Sequence, residues 1–153
     1  MLHVDIPQRG IIDLHHAVFD INGTLAIDGV VTQEVVDALQ QVSKHLSIHI
    51  LTAGTHGNLA DIERSLGFPL RLINKGDEKM RYVQQLGPEH VVAVGNGSND
   101  VGMLRLAAIG IAVMTLEGVS TRALQAADVL VASPVDALGL LLYPKRLIAT
   151  LRG

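Results

Sequence analysis

Residues 17–29 read AVFDINGTLAIDG, an apolar run that ends abruptly in Asp20 and passes into Asn22, Gly23 and Thr24. A charge at the mouth of a buried strand is costly unless something uses it. Taken alone, the segment also admits an Asp that merely caps a turn, since Asp, Asn and Gly are turn formers. Two later stretches repeat the design. ILTAGTHG (50–57) is an apolar run ending in the small hydroxyl residue Thr52, followed by Ala53 and Gly54, whose backbone N–H groups suit phosphate oxygens. VVAVGNGSNDVGML (91–104) runs through a Gly-rich turn into a helix whose first turn holds Asn99 and Asp100. Gly95 and Gly97 allow the tight turn, and an acid there suits the helix dipole.

Outward from these three segments, short β-rich runs alternate with helical ones. The order is AVFD, a helix near Thr32–His45, LSIHIL, a helix near Gly57–Leu66, LRLI, a helix near Asp77–Leu86, and VVAVG. A helix near Ser98–Ala107, IGIAV, a helix near Thr121–Ala126, DVLV and an apolar helix near Pro134–Leu142 follow, before a short basic tail. Such alternation predicts βαβ units with a parallel sheet, right-handed crossovers and a site at the C-terminal edge of the strands. Residues 1–16 differ: LHVDI and GIIDLH alternate apolar and polar around Pro7–Gly10, the pattern of a β-hairpin. The expected fold class is α/β, a Rossmann-like three-layer αβα sandwich with a mainly parallel central sheet and an N-terminal β-hairpin.

The length of 153 residues fits one domain, covering 1–153. Hydrophobic residues make up 48% and charged residues 18%, with two Phe, two Tyr and no Trp, which suits aliphatic strands buried on both faces. A formal charge of −3 and the lack of a basic stripe argue against a nucleic-acid or membrane-surface partner. Cysteine is absent, so thiolate chemistry and Cys-based zinc sites are excluded. MLHVDIPQRG is unlike a signal peptide, and no apolar run approaches the ~20 residues of a membrane span. The expectation is a soluble, cytoplasmic protein.

In the order of these motifs the chain resembles the haloacid dehalogenase superfamily, whose pattern is an apolar strand with D-x-D-G-T, a strand ending in Ser or Thr, a Lys, and finally G-D-x-x-x-D. The resemblance covers nearly the whole chain. GNGSNDVGMLRLAAIGIAV (95–113) and ALQAADVLV (123–131) look most like the phosphorylation domain of P-type ATPases and its soluble relatives. The family places its Lys at the start of the helix before the last motif. Lys79 is followed by Val83 and Leu86 at i+4 and i+7, which anchor one helix face and leave the Lys head at the sheet edge; Lys75 is followed by Lys79 and Tyr82. Lys79 is the choice.

The resemblance implies a phosphatase in which Asp20 attacks phosphorus to give an aspartyl-phosphate. Gly23, Thr24, Thr52, Ala53, Gly54 and Lys79 would hold the phosphoryl group, and Mg²⁺ would be held by Asp20, Asn22, Asn96 and Asp100. Two family carboxylates are replaced. Asn22 stands where phosphatases place an acid/base Asp, and an amide cannot transfer protons at neutral pH, so its own contributions are a backbone carbonyl for Mg²⁺ and hydrogen bonds. Asn96 stands where the family's metal carboxylate sits, and a neutral amide oxygen binds a hard cation less strongly. Slow turnover is expected; a phosphate- or metal-sensing module, or an accessory module binding a partner such as a transporter, is the alternative.

The stretch between Asp20 and Thr52 holds only a flap-like AIDGVV and one helix, so a capless, open site is expected. That suits a phosphorylated small molecule, a phosphoprotein, or a homo-oligomer whose neighbour covers the pocket. Among seven histidines no pair has zincin spacing. His15 and His16 face opposite sides of a strand, and His56, just after Gly54, is a candidate substrate contact.

Overall fold

The computed structural model describes residues 1–54, 59–74 and 76–153. Its strands are β1 (Leu2–Ile6), β2 (Gly10–Leu14), β3 (His16–Asp20), β4 (Ser47–Thr52), β5 (Leu70–Leu72), β6 (Val91–Gly95), β7 (Ile109–Val113) and β8 (Val129–Val131). Its helices are α1 (Gln33–Val42), α2 (Leu59–Leu66), α3 (Gly76–Leu86), α4 (Val101–Leu106), α5 (Thr121–Ala126), α6 (Pro134–Leu142) and α7 (Pro144–Leu151). Short 3₁₀ turns at Pro88–His90 and Ser98–Asp100 precede β6 and α4.

Six strands form a parallel sheet in the order β5-β4-β3-β6-β7-β8, and β1 and β2 form a separate antiparallel hairpin. The aliphatic runs explain the burial. Ala17 and Phe19 of β3, with Val92 and Val94 of β6, face one core, completed by α1, α2, α6, α7 and the hairpin residues Val4, Ile6 and Leu14. Val18, Val91 and Ala93 face the other, completed by Val83 of α3, Met103 and Leu104 of α4 and Ala123 of α5. Strands apolar on both faces thus lie between two helical layers, the expected three-layer sandwich.

Helix α1 begins where Thr32 caps it, accepting from the Val35 amide at 3.3 Å, and Ser133 caps α6 in the same way by accepting from Asp136 at 3.1 Å. At Gly110 a β-carbon would stand 2.3 Å from the Leu104 carbonyl oxygen, so the glycine is what lets α4 lie close on β7.

The basic tail expected after Leu142 is instead helix α7. Pro144 supplies a pre-set φ at its first turn, and Leu147 and Leu151, one turn apart, are buried against the first core. Between β3 and β4 the chain holds only a small flap and α1. In the flap, Ile27 and Val30 exchange backbone hydrogen bonds at 3.0 Å around Asp28 and Gly29, both at positive φ. No cap domain interrupts this stretch. His56, Lys75 and the start of the helix expected from Gly57 lie outside the described residues.

Candidate active site

Strands β3, β4 and β6 are neighbours, and their C-terminal ends bring Asp20, Thr52 and Gly95 to one edge of the sheet. The pairing of Asp20 with Leu51 sets the first two motifs side by side. Lys79, in the second turn of α3, reaches under this edge. Its Nζ donates to Asp20 Oδ1 and to Asp100 Oδ1, both at 2.8 Å. All three groups are withdrawn from water, with relative exposures of 7% for Asp20, 1% for Lys79 and 0% for Asp100.

Asp100 is held from the other side as well: its Oδ2 accepts from the amides of Asn96 at 3.0 Å and Gly97 at 2.9 Å. Gly95 makes room for it, since a β-carbon there would meet the carboxylate at 2.6 Å. Asp100, expected among the metal ligands, therefore faces Lys79 and two main-chain amides.

Asp20's second oxygen meets Thr24, whose Oγ1 lies 3.2 Å from Asp20 Oδ2 and 3.1 Å from Asn96 Oδ1. Thr24 is fully buried. The turn that carries it requires Gly23, at φ 79°, where a β-carbon would stand 2.2 Å from Asn96 Nδ2. Thr52 is buried at the end of β4 and accepts from the Gly54 amide at 3.3 Å, while Ala53 and Gly54 are exposed. Asn22 differs from the rest: its Oδ1 is buried and has no hydrogen-bond partner among the described residues.

Two carboxylates and one ammonium leave the cluster with an excess negative charge. Burial, followed by the charge of Asp100, pushes the Asp20 carboxyl up to about 7 even against the pull of Lys79. For Lys79 burial works against the charge, but Asp20 and Asp100 together outweigh it and hold the ammonium above its ordinary range.

A loop after β7 braces the site without having given any sign in the sequence. Gly118 O accepts from Asn96 Nδ2 at 3.2 Å, Ser120 N donates to Asn96 O at 2.8 Å, and Thr115 Oγ1 donates to Gly23 O at 3.1 Å. Glu117 Oε2 accepts from the flap amide of Asp28 at 3.0 Å. Turn-forming residues with backbone roles carry no chemical signature of their own. An apolar cavity of about 420 Å³ opens beside the flap, lined in part by Leu25, Ile27, Val30, Val35 and Pro134. His16, His49 and Tyr82 form a hydrogen-bonded chain, 3.1 and 2.7 Å, but His16 opens β3 while Asp20 closes it, so this chain sits away from the carboxylates.

The family model for haloacid dehalogenase-like hydrolases matches residues 46–137, more than half of the sequence. The chain belongs to that family. The match contains Thr52, Lys79, Asn96 and Asp100, and Asp20 lies before it. An uncharacterized protein of Methanocaldococcus jannaschii is 37% identical over 78 residues, 48% of this chain and 84% of its own. Among solved structures, the 3-deoxy-D-manno-octulosonate 8-phosphate phosphatase of Moraxella catarrhalis, in complex with magnesium ion, phosphate ion and KDO, superposes with TM-score 0.68. It is 17% identical, over 91% of this chain and 94% of that one. The cobalt-bound deoxy-D-mannose-octulosonate 8-phosphate phosphatase of Haemophilus influenzae gives 0.70 at 14% identity, over 88% and 90%. At these identities the likeness is one of fold.

The oxygen donors suit a hard divalent cation. Asp20 Oδ2 and Asn96 Oδ1 converge on the same Thr24 hydroxyl, and the cluster's excess negative charge favours a cation there. Among the described residues no group of three or more His, Asp or Glu side chains could hold a metal, so such a site depends on amide and main-chain oxygens. No helix among the described residues is long and apolar enough to cross a membrane.

Proposed function

We propose that this chain is a divalent-cation-dependent phosphatase that transfers the phosphoryl group of a phosphate ester to Asp20 and then to water. The observation that carries the reading is Lys79, buried between Asp20 and Asp100 with 2.8 Å to each. A buried ammonium held by two carboxylates at a sheet edge is expensive to build as a structural device, because hydrophobic replacements of such groups are often neutral or stabilising. At a phosphoryl site it balances the charge of the transferring group.

Asp20 is the nucleophile: its Oδ2, 3.2 Å from the Thr24 hydroxyl, faces the turn of Gly23 and Thr24, and its Oδ1 is fixed by Lys79. Thr52 and the amides of Ala53 and Gly54 bind phosphoryl oxygens. Asp100 is a positioning residue that holds Lys79. Mg²⁺ would be held by Asp20, the Asn22 backbone carbonyl and the Asn96 amide oxygen. When bound, it neutralises charge on the phosphoryl oxygens. The Asn22 amide does not ionise near neutral pH and so serves neither as acid nor as base, which makes release of phosphate from Asp20 the slow step. Lacking a cap domain, the site accepts a small phosphate ester or a phosphorylated side chain, with the fit to each set by the flap. The enzyme works in the cytoplasm, where Mg²⁺ is abundant.

The two amides at Asn22 and Asn96 favour a second reading, a phosphate- or metal-sensing module without turnover. A screen of small phosphate esters with Mg²⁺ separates the two. Release of inorganic phosphate by the wild type but not by Asp20→Asn is expected. Equal release by both proteins would remove Asp20 from the reaction, and binding of phosphate without any release would favour the sensor.

A further inference from the structure

The sequence contains two Asn-Gly pairs, Asn22-Gly23 and Asn96-Gly97, and both lie in the candidate site. Asn followed by Gly is the pairing at which an amide is most easily lost, because glycine leaves its own backbone nitrogen unshielded and free to approach the neighbouring side chain. The surroundings of the two differ. At Asn96 the Gly97 N–H already points at the Asp100 carboxylate, 2.9 Å away, and the Asn96 amide oxygen lies 3.1 Å from the Thr24 hydroxyl. At Asn22 the Gly23 N–H points instead at the Ala26 carbonyl, 2.8 Å away, and the amide oxygen has no donor among the described residues.

We propose that Asn96 is a self-modification site, at which the folded protein converts a neutral amide beside Asp20 into a carboxylate. Gly97 N gives its proton to Asp100 Oδ2 and forms a bond to Asn96 Cγ. The former carbonyl oxygen takes the negative charge until the leaving group departs. The amide nitrogen takes up a proton and leaves as ammonia, closing a five-membered imide. Water then opens the ring: attack at Cγ gives Asp, attack at the main-chain carbonyl gives the β-linked isomer. Overall, one water enters and one ammonia leaves, with no oxidant or reductant. The Cγ approach requires the Asn96 side chain to turn out of two hydrogen bonds, 3.2 Å to Gly118 O and 3.1 Å to the Thr24 hydroxyl.

The consequence for the proposed phosphatase is a charged oxygen where Asn96 offers a neutral one, so freshly made and aged protein differ in cation affinity. That consequence rests on the functional reading; the conversion does not.

The test is peptide mapping of the full chain by mass spectrometry during prolonged incubation at neutral pH, with fragmentation that separates Asp from its β-linked isomer. The same chain in denaturant and the variant Gly97→Ala are run alongside. Gly97→Ala is tolerable in the fold, because its β-carbon would meet the tip of the exposed Asn99 side chain at 3.0 Å and Asp100 Oδ2 at 3.7 Å, an ordinary contact. The folded wild type is expected to exchange amide for acid at Asn96 at least about tenfold faster than at Asn22, within the reach of base assistance. Gly97→Ala is expected to lose the conversion. Asn96 remaining an amide in the folded chain while it converts in denaturant would overturn the proposal. Equal rates at Asn22 and Asn96 in the folded protein would also overturn it. As a second readout, the calorimetric Mg²⁺ titration of aged protein should move toward that of Asn96→Asp, and an unchanged titration after full conversion would overturn the carboxylate's role while leaving the hydrolysis reading to its own test.

Discussion

At the residue scale, the site turns on one ammonium serving two carboxylates. Lys79→Met leaves Asp20 and Asp100 facing each other in a dry environment, and the loss of one partner from a buried charge cluster typically costs about 3–5 kcal/mol. The variant should melt well below wild type and release no phosphate. Adding Asp100→Asn removes the repulsion, so the double variant should regain most of the melting temperature and none of the turnover. Recovery of activity together with stability would reduce Lys79 to a structural role. A second expectation concerns Asn22, whose buried amide oxygen has no partner among the described residues. Asp20 is consumed as nucleophile and Lys79 stays charged, so no near-neutral base faces the attacking water. Asn22→Asp supplies one and should speed steady-state phosphate release; general base assistance is typically worth about 10²–10⁴-fold, and an introduced group recovers part of that. Rapid mixing should show a burst in wild type that shrinks relative to the steady rate in the variant. Much of this was legible in the chain: the phase of Val83 and Leu86 around Lys79 predicted which face of α3 turns inward. What Thr24 does was not, because a hydroxyl that lies between Asp20 and Asn96 depends on two segments far apart in sequence.

At the scale of elements, the alternation of aliphatic strands and helices predicted a parallel sheet between two helical layers, since strands without polar faces leave that arrangement as the way to bury them. The C-terminal helix α7 escaped notice because Lys145 and Arg146 dominate its first turn, and its burial rests on the spacing of Leu147 and Leu151 alone. The loop Thr115–Ser120 escaped for another reason: it acts through Gly118 O, Ser120 N and a single threonine hydroxyl, none of which marks a sequence. The close approach of α4 to β7 makes a further prediction. Gly110→Ala places a methyl 2.3 Å from the Leu104 carbonyl oxygen, a main-chain atom that cannot rotate away. Separating helix from strand should cost about 1–3 kcal/mol, the usual range for overpacking. It should also disturb the site, because α4 follows directly from the turn that holds Asp100. Chemical denaturation that leaves Gly110→Ala as stable as wild type would show that the contact relaxes freely.

At the scale of the whole molecule, the site's excess negative charge opposes folding and makes stability depend on pH. Asp20 in the folded state is pushed up to about 7, above the value of 3.8 that it has when exposed. Between these values the folded chain binds a proton that the unfolded chain does not, so this group's contribution is fully present below about 3.8 and is lost as pH rises through about 7. His16 and His49 act in the opposite direction: burial lowers both, so their contribution grows as pH rises through the ordinary histidine range. The two effects separate in Asp20→Asn, which keeps both histidines and removes the carboxylate. The variant leaves Lys79 paired with Asp100 alone, a balanced couple, and should melt above wild type at pH 8, each kcal/mol moving the midpoint by about 2–4 °C for a chain of this size. The gap should narrow as the buffer is taken from pH 8 toward pH 5, because the folded wild type gains its proton on the way through about 7 and the variant has none to gain. Mg²⁺ should close the same gap at pH 8 by stabilising the wild type and not the variant, since a ligand that binds only the folded state raises the melting point by mass action. A gap that stays constant across this range would mean that Asp20 is ionised throughout, and that Lys79 alone suffices to hold both carboxylates charged.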